Sequence, residues 1–176
     1  MKKIIAIAGS NSKNSINKKL VIYVTQQIND ADISIFDMND FDLPIYGIDE
    51  ELENGFPKDA QGFNSKIEGA DGIILSLPEH NGSYTTAFKN AYDWLSRIDK
   101  IVWKNKPMLL MSTAPGGRGG ASVMQAAKTG FPYMGGNIIA DFSLPFFNDN
   151  FDNGVTNEEF REDLMGKVGA FMEAID

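Results

Sequence analysis

The sequence predicts a doubly wound α/β fold, a five-stranded parallel sheet of order 2-1-3-4-5 between two layers of helices. Three observations carry that reading. Residues 4–8 are a short, unbroken apolar run and residues 73–77 a second one broken only by Ser76, the composition of strands covered on both faces. Between such runs lie segments whose apolar residues recur at helical spacing, so strand and helix alternate along the chain. Right-handed crossovers turn that alternation into a parallel sheet, and five strands favour an order with its ligand crevice between strands 1 and 3.

Each element follows from local pattern. After the first strand, Ile16, Leu20, Val21, Val24 and Ile28 recur as one helix face. Residues 32–37 alternate apolar and polar, which suits a strand nearer the sheet edge. Residues 41–56 read as loop, with Pro44, Gly47 and Gly55, and the run Asp49-Glu50-Glu51 reads as a solvated face. Pro57 suits the first turn of a helix striped by Ala60, Phe63 and Ile67. Residues 73–77 are strand 3. Ser83 is the expected N-cap of the next helix, whose inner face carries Tyr84, Ala87, Phe88, Ala91, Leu95 and Ile98. Residues 107–113 are strand 4, 123–131 a helix and 137–142 strand 5. Thr156 and Glu159 have capping-box spacing before a final helix with Phe160, Leu164, Val168, Phe171 and Ile175 inward. The whole is a flavodoxin-like α/β/α sandwich, expected as a single domain over residues 1–176, since no linker-like stretch or internal repeat divides it.

Composition narrows the function. A formal charge of -8 argues against a phosphate-backbone or anionic membrane partner, so neither nucleic acid nor membrane is expected. With no cysteine and one histidine, His80, disulfides, thiolate catalysis and Cys- or His-rich metal centres are excluded. The start, Met1-Lys2-Lys3 then an apolar run to Ala8, is shorter than the ~7–15 residue apolar stretch of a secretory signal and reads as a buried strand. A cytoplasmic protein is expected.

Three loops at the carboxyl ends of strands carry the chemistry. The first, residues 9–17, holds Ser10, Ser12 and Ser15 with Asn11, Asn14 and Asn17, more hydroxyls and amides than one helix cap requires. Beside a helix N-terminus such a loop would cradle a phosphate. It is neither a Walker A loop nor a Gly-x-Gly-x-x-Gly turn. In the second, Asn81-Gly82 alone suggests a hairpin, which the following amphipathic helix argues against. Pro78 and Glu79 there would leave backbone groups facing the crevice. His80 is a general acid or base, or, as is commoner for a lone turn histidine, an exposed or stacking residue. The third, residues 115–120, is a flexible connector or a place where backbone approaches a planar ligand. Arg118 within it is either a phosphate contact or solvated.

Taken together these loops resemble the NADPH-dependent FMN reductase family, which also holds quinone, azo-dye and chromate reductases. The phosphate-loop pattern is matched by Gly9-Ser10 and Ser15-Ile16-Asn17. The flavin-edge pattern is matched by Pro78, Glu79, Asn81 and Ser83, followed by Lys89-Asn90-Ala91 and Asp93-Trp94. Pro115-Gly116 with Gly119-Gly120 matches the glycine loop, and residues 41–46 resemble the Leu-Pro-x-Tyr segment. Ser12 stands where many members carry an arginine, with Lys13 beside it, and His80 replaces a usual tyrosine.

The resemblance implies non-covalent FMN with NADPH or NADH as co-substrate. Its phosphate would lie on Ser10, Asn11, Ser12, Ser15, Ile16 and Asn17. Its ring would lie between Pro78, Glu79, His80, Asn81 and Ser83 on one side and Thr113, Gly116 and Gly117 on the other. The implied acceptor is a small molecule (quinone, azo compound, metal oxyanion or free flavin), the implied assembly a homodimer or homotetramer. No catalytic side chain and no metal is implied. A flavodoxin-type electron carrier is the rival reading, although the phosphate loop usual for one is missing. A flavin-binding module without turnover is another.

Overall fold

The computed structural model describes residues 1–175. In chain order these form β1 (Lys2–Ala8), α1 (Ile16–Thr25), β2 (Ala31–Asp37), α2 (Ile48–Asn54), α3 (Lys58–Glu68) and β3 (Gly72–Ser76). There follow α4 (Thr86–Ile98), β4 (Pro107–Thr113), α5 (Ala121–Gly130), β5 (Asn137–Leu144), α6 (Phe147–Asn150) and α7 (Glu158–Ala174). The sheet is parallel with order β2-β1-β3-β4-β5, as expected. A bulge on β5 at Ile139 shifts its register against β4 between Met108 and Leu109.

Successive strand residues point to opposite faces, and the two cores divide along that alternation. Ile5, Ile7, Ile73, Leu75, Met108 and Leu110 pack under α3, α4 and α5. Ile4, Ala6, Ile74, Leu109 and Met111 pack under α1 and α7. The central strands have no polar face, so both layers of helices are required to cover them. On the first face five rings of one cluster meet: Tyr84, Phe88, Tyr92, Trp103 and Phe131. Phe131 touches the other four, with centroids between 4.7 and 6.4 Å.

Five local expectations are corrected. The segment read as loop contains α2, whose first turn is Asp49, Glu50 and Glu51, placed where the helix dipole favours acids. Glu51 is not simply solvated: Arg97 donates to both its carboxylate oxygens at 2.8 and 3.1 Å, and the Tyr46 hydroxyl donates at 3.2 Å. The N-cap of α4 is Thr85, not Ser83, because the tight turn before it uses up Ser83. That turn is itself a miniature hairpin, contrary to expectation. Asn81 and Gly82 both have positive φ, 52° and 77°, and His80 and Ser83 exchange both backbone hydrogen bonds across them. Finally, α7 is capped by Asn157, whose side chain accepts from the N–H of Phe160, so the Thr156–Glu159 capping box does not form.

Two motif segments that lie far apart in sequence explain one another in space. Asn90 accepts from the N–H of Tyr46 and donates to the carbonyl of Pro44, and the Trp94 indole donates to the same carbonyl at 2.8 Å. The chain after β2 is thereby strapped to α4. Phe131→Ala should remove the centre of the aromatic cluster at a cost of ~3–5 kcal/mol, read as a lower urea midpoint at unchanged slope.

Candidate active site

The loops after β1, β3 and β4 converge at the carboxyl edge of the sheet, on the switch point between β1 and β3. They enclose a cleft of about 230 Å³. Ser10, Ser12, Ser15, Ile16 and Asn17 line it from the first loop, Pro78, Glu79 and His80 from the second, and Thr113 from the third. Asn11 faces instead a neighbouring cleft of about 440 Å³, beside Asn39 and Phe41. Asn81 and Ser83 are exposed in the turn, as are Gly116 and Gly117 in the third loop.

The first loop is wired as a set of donors. The hydroxyl oxygens of Ser10, Ser12 and Ser15 accept backbone N–H groups from Ser12, Asn14 and Lys18, respectively. Each keeps an O–H to donate, with no acceptor for it among the described residues. The first N–H groups of α1, at Ile16 and Asn17, have no intrahelical partner by helix geometry. Hydroxyls and helix N–H groups that line one cleft can serve as an anion cradle. The chemistry of this set fits a phosphate.

Residues 2–150 match the family described as NADPH-dependent FMN reductase. The chain belongs to this family. FMN and a reduced nicotinamide are the family's cofactor and co-substrate, and its members are oxidoreductases, as this chain is. It is 28% identical to a quinone reductase of Escherichia coli, over 98% of this chain and 94% of the relative. It is 36% identical to a 2-hydroxy-1,4-benzoquinone reductase of a Burkholderia species, over 68% of this chain and 64% of the relative. Among solved structures, FerB, a flavoenzyme NAD(P)H:(acceptor) oxidoreductase of Paracoccus denitrificans, superposes with a TM-score of 0.80 at 26% identity. That superposition covers 99% of this chain and 97% of FerB.

Within this family frame, several expected contacts turn out to brace the site from beneath. Asn17 is buried: its amide donates to the carbonyl of Thr113 and its oxygen accepts from the Ser76 hydroxyl and the Thr113 N–H, at 2.7–3.1 Å. Its side chain therefore joins β3 and β4 to α1, and only its backbone is left for a ligand. The Thr113 hydroxyl donates to the carbonyl of Leu144. Glu79 Oε2 accepts the N–H groups of Ser122 and Val123 at 2.8 and 3.0 Å, capping α5. His80 has its N–H and C=O engaged in the turn. Space over Gly117 is occupied by the Phe146 ring rather than open to a ligand, since an added Cβ would lie 2.6 Å from Phe146 Cζ.

Sequence reading passed over Thr85, which is buried, donates to the carbonyl of Gly9 at 2.6 Å and accepts the Phe88 N–H. It locks the end of β1 to α4, and a threonine two residues beyond a promising serine carried no separate signal. Burial, with Tyr92 adding to it, pushes the Tyr84 phenol up to about 12, so it stays protonated at neutral pH. Lys18 is 2.6 Å from Asp37. Burial raises the Asp37 carboxyl, but Lys18 and the backbone and side-chain N–H groups of Asn39 outweigh it, and the pKa lies below the ordinary value. Lys18 is therefore already paired, and Lys13, exposed, is the loop's other nearby cation.

Two outcomes test this wiring. Asn17→Ala should destabilise the fold by roughly 2–4 kcal/mol, because Ser76 and both backbone groups of Thr113 lose partners. Ser15→Ala should cost about 1 kcal/mol, as for loss of an N-cap; equal costs in chemical denaturation would remove the distinction between brace and cap. Because the folded pKa of Asp37 is lowered, its stabilisation is present above the unfolded value, near about pH 4, and is lost as pH falls through the folded value. Asp37→Asn should flatten the fall in stability below about pH 4, and an unaltered acid limb would show that the pair contributes nothing.

Proposed function

We propose that this chain is an FMN-dependent NAD(P)H oxidoreductase that reduces a quinone-like small molecule by two electrons. In balance, NAD(P)H, a proton and the quinone give NAD(P)+ and the hydroquinone. The observation that carries the proposal is the convergence of a donor-rich helix N-terminus with two further strand-end loops on one cleft, in a chain of this family. When bound, FMN supplies a ring able to accept a hydride and release two electrons to an acceptor.

The chain's own residues bind and orient. The hydroxyls of Ser10, Ser12 and Ser15 and the N–H groups of Ile16 and Asn17 hold the phosphate. Pro78, Glu79, His80, Asn81 and Ser83 would form one wall for the ring, mainly through shape and exposed polar edges, and Thr113 and Gly116 the other, with Gly117 taken up by Phe146. Glu79 and Asn17 act through the loops they brace. No side chain is assigned as acid or base, and no metal is required. The whole chain acts as one flavin-binding unit, which we place in the cytoplasm. No helix among the described residues is long and apolar enough to cross a membrane. A homodimer or homotetramer is favoured by exposed apolar residues around α2: Ile45 is 82% exposed and Leu52 76%. Either reduced nicotinamide coenzyme serves as donor, and azo, metal-oxyanion and free-flavin acceptors belong to the same proposal.

The test is direct. Purified protein loaded with FMN and freed of excess flavin should oxidise NADPH much faster when a quinone is added, whereas a carrier or a silent flavin module would not turn over. FMN should bind at least tenfold more tightly than riboflavin by fluorescence quenching, because charge-assisted bonds to the phosphate each contribute ~1.5–3 kcal/mol. Ser12→Arg should tighten FMN further by adding fixed positive charge to a loop that has little. Equal affinity for the two flavins would sink the phosphate assignment.

A further inference from the structure

Phe146 is an anomaly of the β5–α6 junction. Its backbone is left-handed, with φ 46° and ψ 56°. For a bulky L residue this conformation is strained, which glycine would avoid and asparagine reduce. Burial does not explain the choice of residue, for Phe146 is 49% exposed. Its neighbour Phe147 is buried and stacks on Phe151 at 4.6 Å, whereas Phe146 pairs with no other ring among the described residues.

The position of the ring is nonetheless tightly held. The N–H of Phe146 donates to the carbonyl of Gly116 and that of Phe147 to the carbonyl of Ala114, which lines the cleft. The tip of the ring rests on Gly117, where any larger residue would collide with it at 2.6 Å. A glycine in one loop and a strained aromatic in another thus keep a half-bare ring beside the wall of the cleft.

The geometry points to Phe146 as a specificity residue that stacks a planar electron acceptor, selecting flat aromatic quinones over acceptors with no flat face. This rests on the flavin-site reading above, since it places the acceptor next to the third loop. An offset or edge-to-face ring pair contributes ~0.5–1.5 kcal/mol beyond its buried area, so loss of the ring should weaken a planar acceptor roughly three- to tenfold.

The variant of choice is Phe146→Asn, which tolerates the left-handed backbone and removes the ring. Steady-state turnover of the FMN-loaded protein would be measured with 1,4-naphthoquinone and, separately, with ferricyanide, which cannot stack. We expect the naphthoquinone KM to rise roughly three- to tenfold with kcat little changed, the signature of lost uniform binding, and the ferricyanide KM to move less than twofold. Phe146→Tyr, which keeps a stacking face, should restore the naphthoquinone KM. Parallel shifts for both acceptors, or no shift for either with FMN still bound, would overturn the assignment while leaving the flavin site intact. Failure of the unmodified protein to bind FMN would remove the flavin-site reading itself, and this inference with it.

Discussion

The carboxamide of Asn17 is the interaction on which the site depends. It reaches from the first turn of α1 under the loops to bond Ser76 at the end of β3 and both backbone groups of Thr113 at the end of β4. Parallel strands leave their last residues without ladder partners beyond the sheet edge, and there is no room for bulk water beneath the cleft. One amide satisfies a hydroxyl, a donor and an acceptor at once, and fixes three chain segments relative to each other. Thr85 repeats the device between β1 and α4, and Glu79 between the second loop and α5. The walls of the cleft are therefore set by buried hydrogen bonds rather than by the groups exposed in it.

That division of labour matters for an acidic protein. A net charge of -8 would oppose binding of an anion through long-range repulsion, and the nearby Lys18 is neutralised by Asp37. Short-range donors are what remain: three serine hydroxyls, each oriented by the N–H it accepts, and the dipole of α1. Such a cradle discriminates by geometry more than by charge, and its donors are already in position when the ligand arrives.

The fold was legible because period and composition agreed at every level. Residues 4–8 are apolar without interruption and 73–77 carry a single serine, a pattern that suits strands buried on both faces. The loops that converge were also legible, since their serines, asparagines and glycines crowd at strand ends. Roles within them were not. Asn17 and Ser12 look alike in sequence, and only the tertiary contacts separate a buried brace from an exposed donor. The Asn81-Gly82 turn shows the same limit: a helix downstream argues against a hairpin, yet two left-handed residues fit between strand and helix. Phe146 carried no signal, because backbone strain has no pattern in residue type.

The position of β1 in the middle of the sheet has a consequence for how the molecule is made. β1 leaves the ribosome before the other strands of this sheet and is among the most apolar, and its inner neighbour is β3, with Ile4 paired to Gly72 and Ala8 to Ser76. Pairing with β2 can form early, but the other edge stays open until residue 76 has been synthesised. A long-range parallel pairing of this kind closes slowly, and until it does an uncovered strand edge invites association between nascent chains. The order of strands that creates the crevice thus also sets the interval during synthesis when this chain is most exposed to aggregation.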